Sequence, residues 1–135
     1  MRRVVVSGVG LGDLSAQQRA AMRTLSAGFL PKAFRDEYER VSPDGPEHWP
    51  AFFEKVKAMW SKPGWGISKP ELATIKAPVL LVFGDRDFTS LEEATTVFHA
   101  ISGAQLCILP GVGHATFRER PEWLNPIILD FLDRK

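Results

Sequence analysis

The chain has 135 residues, 44% hydrophobic and 24% charged, with a net charge of +1. That is one domain's length and a globular balance, and it lacks the basic excess that a nucleic-acid or membrane-surface partner demands. One cysteine, Cys107, rules out an intramolecular disulfide; the apolar run Val4 to Val6 is too short for a signal peptide and no stretch spans a bilayer, so the expectation is a cytoplasmic protein.

Arg3-Val4-Val5-Val6-Ser7 is a β-branched run closed by Gly8 and Gly10, which predicts a buried strand and a loop. The strand is expected to have a bare edge. From Leu11 to Lys69 helical spacing replaces the strand pattern. Asp13 or Ser15 is placed to cap a first helix running to Gly28. A second is expected from Pro31 to Val41, with Phe34, Tyr38 and Val41 on one face. Ser42-Pro43-Asp44-Gly45 breaks it. A third is expected from Pro46 to Trp60, with Trp49, Phe52, Phe53, Val56 and Trp60 on one stripe. This insert reads as an aromatic mini-core. One of its faces is also suited to line an apolar substrate pocket, with Trp49, Phe53 and Trp60 as the lining candidates.

Ser68-Lys69-Pro70-Glu71 is a capping-box pattern opening a short helix to Ile75. Pro78 to Phe83 is apolar without interruption, the mark of a strand buried on both faces in a parallel sheet. Its loop is Gly84-Asp85-Arg86-Asp87-Phe88-Thr89. Ser90-Leu91-Glu92-Glu93 is a second capping box, and its helix carries Leu91, Ala94, Val97, Phe98 and Ile101 on one face up to Gly103. Ala104 to Leu109 is the next strand, with Cys107 as a small buried hydrophobe. The glycine-rich loop Pro110-Gly111-Val112-Gly113-His114 follows, then a last helix from Pro121 to Leu132, which Pro126 should kink or delay. The order predicts an α/β fold: three parallel strands, flanking helices and an all-helical insert.

Asp87 and His114 both fall just past the carboxyl ends of neighbouring parallel strands, where such folds place chemistry. A carboxylate that accepts a hydrogen bond from one imidazole nitrogen leaves the other free as a base for a hydroxyl or a water. The alternative makes Asp85 and Asp87 loop formers and His114 a satisfied loop histidine. His48 and His99 sit on helices and read as surface or packing residues. No residue pattern calls for a metal or a cofactor.

From Ile75 onward the chain resembles the carboxyl-terminal part of the α/β-hydrolase fold. The resemblance is carried by Ala77-Pro78-Val79-Leu80-Leu81-Val82-Phe83-Gly84-Asp85-Arg86-Asp87, by Leu109-Pro110-Gly111-Val112-Gly113-His114 and by Glu119-Arg120-Pro121. It implies that Asp87, not Asp85, is the triad acid and His114 the base. Arg3 to Gly10 is similar to the sixth strand of that fold, and the insert to its cap. This gives a partial core at residues 1–10 and 70–135 and a cap at 11–69. Some members carry the acid after the sixth strand, which makes Asp13 the runner-up.

The family's nucleophile motif, Gly-x-Ser-x-Gly, does not occur in the sequence. Ser7 and Ser15 lack its flanking glycines. The resemblance therefore implies a hydrolase lineage acting on an ester, lactone, amide, epoxide or carbon–carbon bond, with acid and base but no nucleophile and little activity alone. The partners expected are an apolar small molecule and either a second copy, in a homodimer, or a complementing amino-terminal half. A different class of function is also open: a non-catalytic protein that binds an apolar ligand or assembles with itself.

Overall fold

A computed structural model describes residues 2–8, 16–64 and 66–134. The chain divides into two compact units, Met1–Gly12 with Ile67–Lys135, and Asp13–Gly66.

The first unit is built on a three-stranded parallel sheet in the order β1 (Val4–Ser7), β2 (Val79–Gly84), β3 (Gln105–Leu109). Each residue of β2 is buried, because this central strand has a ladder on both edges and helices on both faces. Its side chains alternate between two cores. Val79, Leu81 and Phe83 meet Leu72 of α4 (Lys69–Ala73) and Ala94 and Val97 of α5 (Leu91–Ala100). Leu80 and Val82 meet Leu124 and Phe131 of α7 (Pro121–Asp133). β1 was expected to be buried but is only half-buried, and Cys107 on β3 likewise. Each of these strands has one ladder neighbour among the described residues, so the flank of the strand stays open. Partial burial still pushes the Cys107 thiol up from its ordinary range.

Local signals set the helix starts. Ser68 accepts the Glu71 N–H while Glu71 takes the Ser68 N–H at 2.8 Å, the reciprocal cap the spacing predicts. Ser90 accepts the Glu93 N–H at 3.1 Å and starts α5. α4 stops at Ala73, two residues short of expectation, as Thr74 turns its hydroxyl onto the Glu71 carbonyl. α7 begins at Pro121 and runs through Pro126, so the proline does not delay its start. A one-turn helix, α6 (Thr116–Glu119), follows His114 where the sequence suggested only loop.

The second unit is helical: α1 (Ala16–Arg23), α2 (Lys32–Val41), a 3-10 turn (Pro46–His48) and α3 (Trp49–Trp60). α1 ends well before Gly28, where the Thr24 hydroxyl bonds the Ala21 carbonyl and the chain turns. The residues expected to cap α1, Asp13 and Ser15, lie outside the described residues. Tyr38 packs on Phe52 and Trp49 with ring centroids 4.7 and 5.4 Å away, and Phe53 is fully buried beneath them. These rings are the unit's core. The exposed pairs Lys32–Asp36 and Arg35–Glu39 contribute little. Among the described residues no helix is long and apolar enough to cross a membrane.

Candidate active site

β2 and β3 leave the sheet at the same height, because Gly84 and Leu109 are partners in the register. The two loops then cross. Asp85 N–H donates to the Leu109 carbonyl and Arg86 N–H to the Val112 carbonyl, each at 3.0 Å. A Cβ on Gly84 would lie 1.9 Å from the Val112 carbonyl oxygen, so only glycine lets the His114 loop pass over the end of β2.

This crossing brings Asp87 to His114. The Asp87 side chain is fully buried, and its carboxylate lies 3.0 and 3.2 Å from His114 Nδ1. One of its oxygens also accepts the Thr89 N–H at 3.1 Å, which fixes the carboxylate in its turn. An ionised Asp87 accepts from Nδ1, so the proton sits there and Nε2 is left with its lone pair. The His114 side chain keeps 37% of its surface, enough for a reacting group to reach. Phe88 is 78% exposed yet stacks on the imidazole at 4.1 Å between centroids. Gly8, at a φ of +61°, packs so close that a Cβ there would sit 2.7 Å from His114 Cε1. The imidazole is therefore gripped by Asp87, Phe88 and Gly8.

The remaining candidates fall elsewhere. The Asp85 carboxylate accepts the Gly111 N–H at 2.6 Å. Asp13 lies outside the described residues. The Ser7 hydroxyl is bonded to the Thr116 hydroxyl at 2.6 Å, tying the end of β1 to α6. In the second unit Phe53 is core, Trp60 is half-buried, and Trp49 lines a cleft of about 430 Å³ whose walls mix Leu30 and Pro46 with charged Lys32, Arg35 and Glu47. His48 bonds the Tyr38 hydroxyl through Nδ1 at 2.7 Å, a packing role. Phe88, Gly8 and Glu119 went unread as site residues. Only Glu119 left a trace, in the Glu-Arg-Pro that trails the histidine.

A buried aspartate and a histidine at the ends of adjacent parallel strands is a generic arrangement, but the whole chain can be compared. The model of the alpha/beta hydrolase family matches residues 1–127. The chain belongs to this family. As an alpha/beta hydrolase it is similar in fold to an enol-lactonase from Burkholderia xenovorans LB400, at 18% identity and a TM-score of 0.62, over 99% of this chain and 57% of that one. A meta-cleavage product hydrolase from Pseudomonas fluorescens IP01 aligns at 20% identity and a TM-score of 0.66, over 98% and 56%. An esterase from Exiguobacterium antarcticum aligns at 14% and 0.67, over 98% and 57%. This alpha/beta hydrolase chain thus spans little more than half the length of those solved structures. No curated protein sequence matches it.

Proposed function

We propose that the chain carries the acid–base half of a nucleophile–His–Asp hydrolase, with Asp87 orienting and His114 acting as base. The observation that carries the reading is the 3.0 Å contact between His114 Nδ1 and the fully buried Asp87 carboxylate. With Nδ1 held by Asp87, Nε2 takes the proton from a hydroxyl or a water and later gives it to the leaving group. The substrate class is an ester, lactone, amide, epoxide or carbon–carbon bond; the lactonase, esterase and meta-cleavage neighbours support its breadth. The helical unit is read as a cap. The cleft beside Trp49 is its pocket candidate; Trp60 and the buried Phe53 are not among the residues that line it. No cofactor is invoked.

The residues in hand are an incomplete machine. Loss of the nucleophile alone costs on the order of a millionfold in turnover in a serine hydrolase. Loss of oxyanion donors costs roughly a further hundredfold. The 135 residues alone should not turn over a short-chain aryl ester above background. The deciding measurement is the intact mass of the protein purified from its native cells, with an aryl-ester assay of the same sample. A mass well above that of these residues, with turnover abolished by His114→Ala, is the expected result. Turnover by the 135-residue chain that survives His114→Ala sinks the reading.

A second reading, self-assembly on a hydrolase scaffold, is favoured by one observation. The outer edge of β1 has no ladder partner among the described residues, and Val4, Val5 and Val6 are only half-buried. An open apolar edge invites a second chain, and each large aliphatic side chain left in water forfeits about 1.5–3 kcal/mol. On this reading the chain is a homodimer, and light scattering at micromolar concentration returns twice the chain mass. A monomer there removes this reading.

A further inference from the structure

We propose that Asp85 and Glu119 are positioning residues: their carboxylates clamp the backbone amides of Gly111 and Gly113 and so hold His114 against Asp87. The proposal rests on the reading of Asp87 and His114 as acid and base.

The loop from Pro110 to His114 contains two glycines, and Gly111 sits at a φ of +68°. Such a segment has wide conformational freedom of its own. A general base needs its nitrogen fixed to a fraction of an ångström, so something outside the loop must supply the order. Two carboxylates from outside the loop do so. Asp85 Oδ1, at the end of β2, accepts the Gly111 N–H at 2.6 Å. Glu119 Oε2, at the end of α6, reaches back six residues to accept the Gly113 N–H at 2.9 Å. Both are charge-assisted bonds, stronger than bonds to a neutral acceptor. Gly113 directly precedes His114, and a Cβ there would stand 3.0 Å from Glu119 Oε1. The glycine is what lets the carboxylate come this near. The pattern also gives the two loop aspartates separate tasks: Asp87 meets the ring, and Asp85 meets the backbone that carries the ring.

The test is long-range proton–nitrogen NMR of the histidine side chains in the whole chain, above neutral pH, with His48 and His99 as internal references. Native His114 should show the Nδ1–H tautomer and a slowly exchanging Nδ1 proton. Asp85→Ala and Glu119→Ala should each lose that proton signal and move His114 toward the Nε2–H tautomer that free imidazole prefers. Asp85→Asn and Glu119→Gln keep a carbonyl oxygen in the acceptor's place and should restore the native pattern. A merely structural role would not change the tautomer of a protein that remains folded. Alanine variants that keep the native tautomer overturn the clamp, as do Asn and Gln variants that fail like alanine. If the alanine variants do not fold, the Asn and Gln variants and the native Gly111 and Gly113 amides decide. The clamp requires both amides to be protected from exchange in the native protein, and free exchange overturns it. Asp87→Asn separates the two ideas. A native His114 with no Nδ1–H preference, indifferent to Asp87→Asn, refutes the acid–base reading itself. A preference lost in Asp87→Asn but kept in both alanine variants refutes only the clamp.

Discussion

Gly84 has backbone where any other residue has a side chain: the Val112 and Gly113 carbonyl oxygens occupy that space at 1.9 and 2.4 Å. Neither can yield cheaply, since Arg86 N–H holds the Val112 carbonyl in place. Gly84→Ala should therefore destabilise the protein by about 3 kcal/mol, read from denaturant unfolding, because it must lift the His114 loop off β2. The meeting of Asp87 and His114 was legible in the sequence, from two strand-loop units of the same make. The distinct job of Asp85 was not. It depends on where the Gly111 amide lies in space, and no local pattern encodes that. Phe88 was unreadable for a similar reason, as an exposed aromatic beside an acidic loop acquires its meaning only from the ring it stacks on.

At the scale of elements, α4 illustrates a start written in the local sequence. Its box is fully exposed, and the Ser68 hydroxyl, then the Ser68 N–H, hold the Glu71 carboxyl below its ordinary value of 4.5. A depressed folded value means that the cap's contribution is complete above the ordinary carboxylate range and is lost as pH falls through the lowered one. Acidification below about pH 4 should fray α4 first, seen as faster amide exchange at Glu71 and Leu72 while β2 stays protected. If those amides hold their protection to lower pH than the β2 amides, the cap is not what secures the helix. Starts written in a serine cap of this kind, at α4 and α5, were legible. α6 was not, because its four residues are set by Ser7 bonding to Thr116 and by Glu119 bonding to Gly113, contacts reaching other parts of the chain. The burial of β1 was overestimated, though its open edge was expected, because a β-branched run tells how a strand packs but not how many neighbours it has.

For the molecule as a whole, the sheet is held unevenly. β2 has ladders on both edges and two cores, whereas β1 and β3 each have one described neighbour. Amides of β2 should exchange only through global unfolding and those of β1 markedly faster, as native-state hydrogen exchange will show. Equal protection in β1 would mean that its outer edge is covered in solution. The change of period between residues 11 and 69 was legible as a switch from strand to helical spacing. The order in which the sheet closes follows from its register. Leu80 and Gln105 become partners across one helix, whereas Val4 and Val79 become partners only after the entire helical unit lies between them. The longer closure is roughly threefold in length and costs about 1 kcal/mol more in chain entropy. β2 and β3 are thus expected to zip first and β1 to arrive last. Asp87 and His114 hang from the two early strands. During folding the dyad is assembled while the edge of β2 that β1 will take is still vacant.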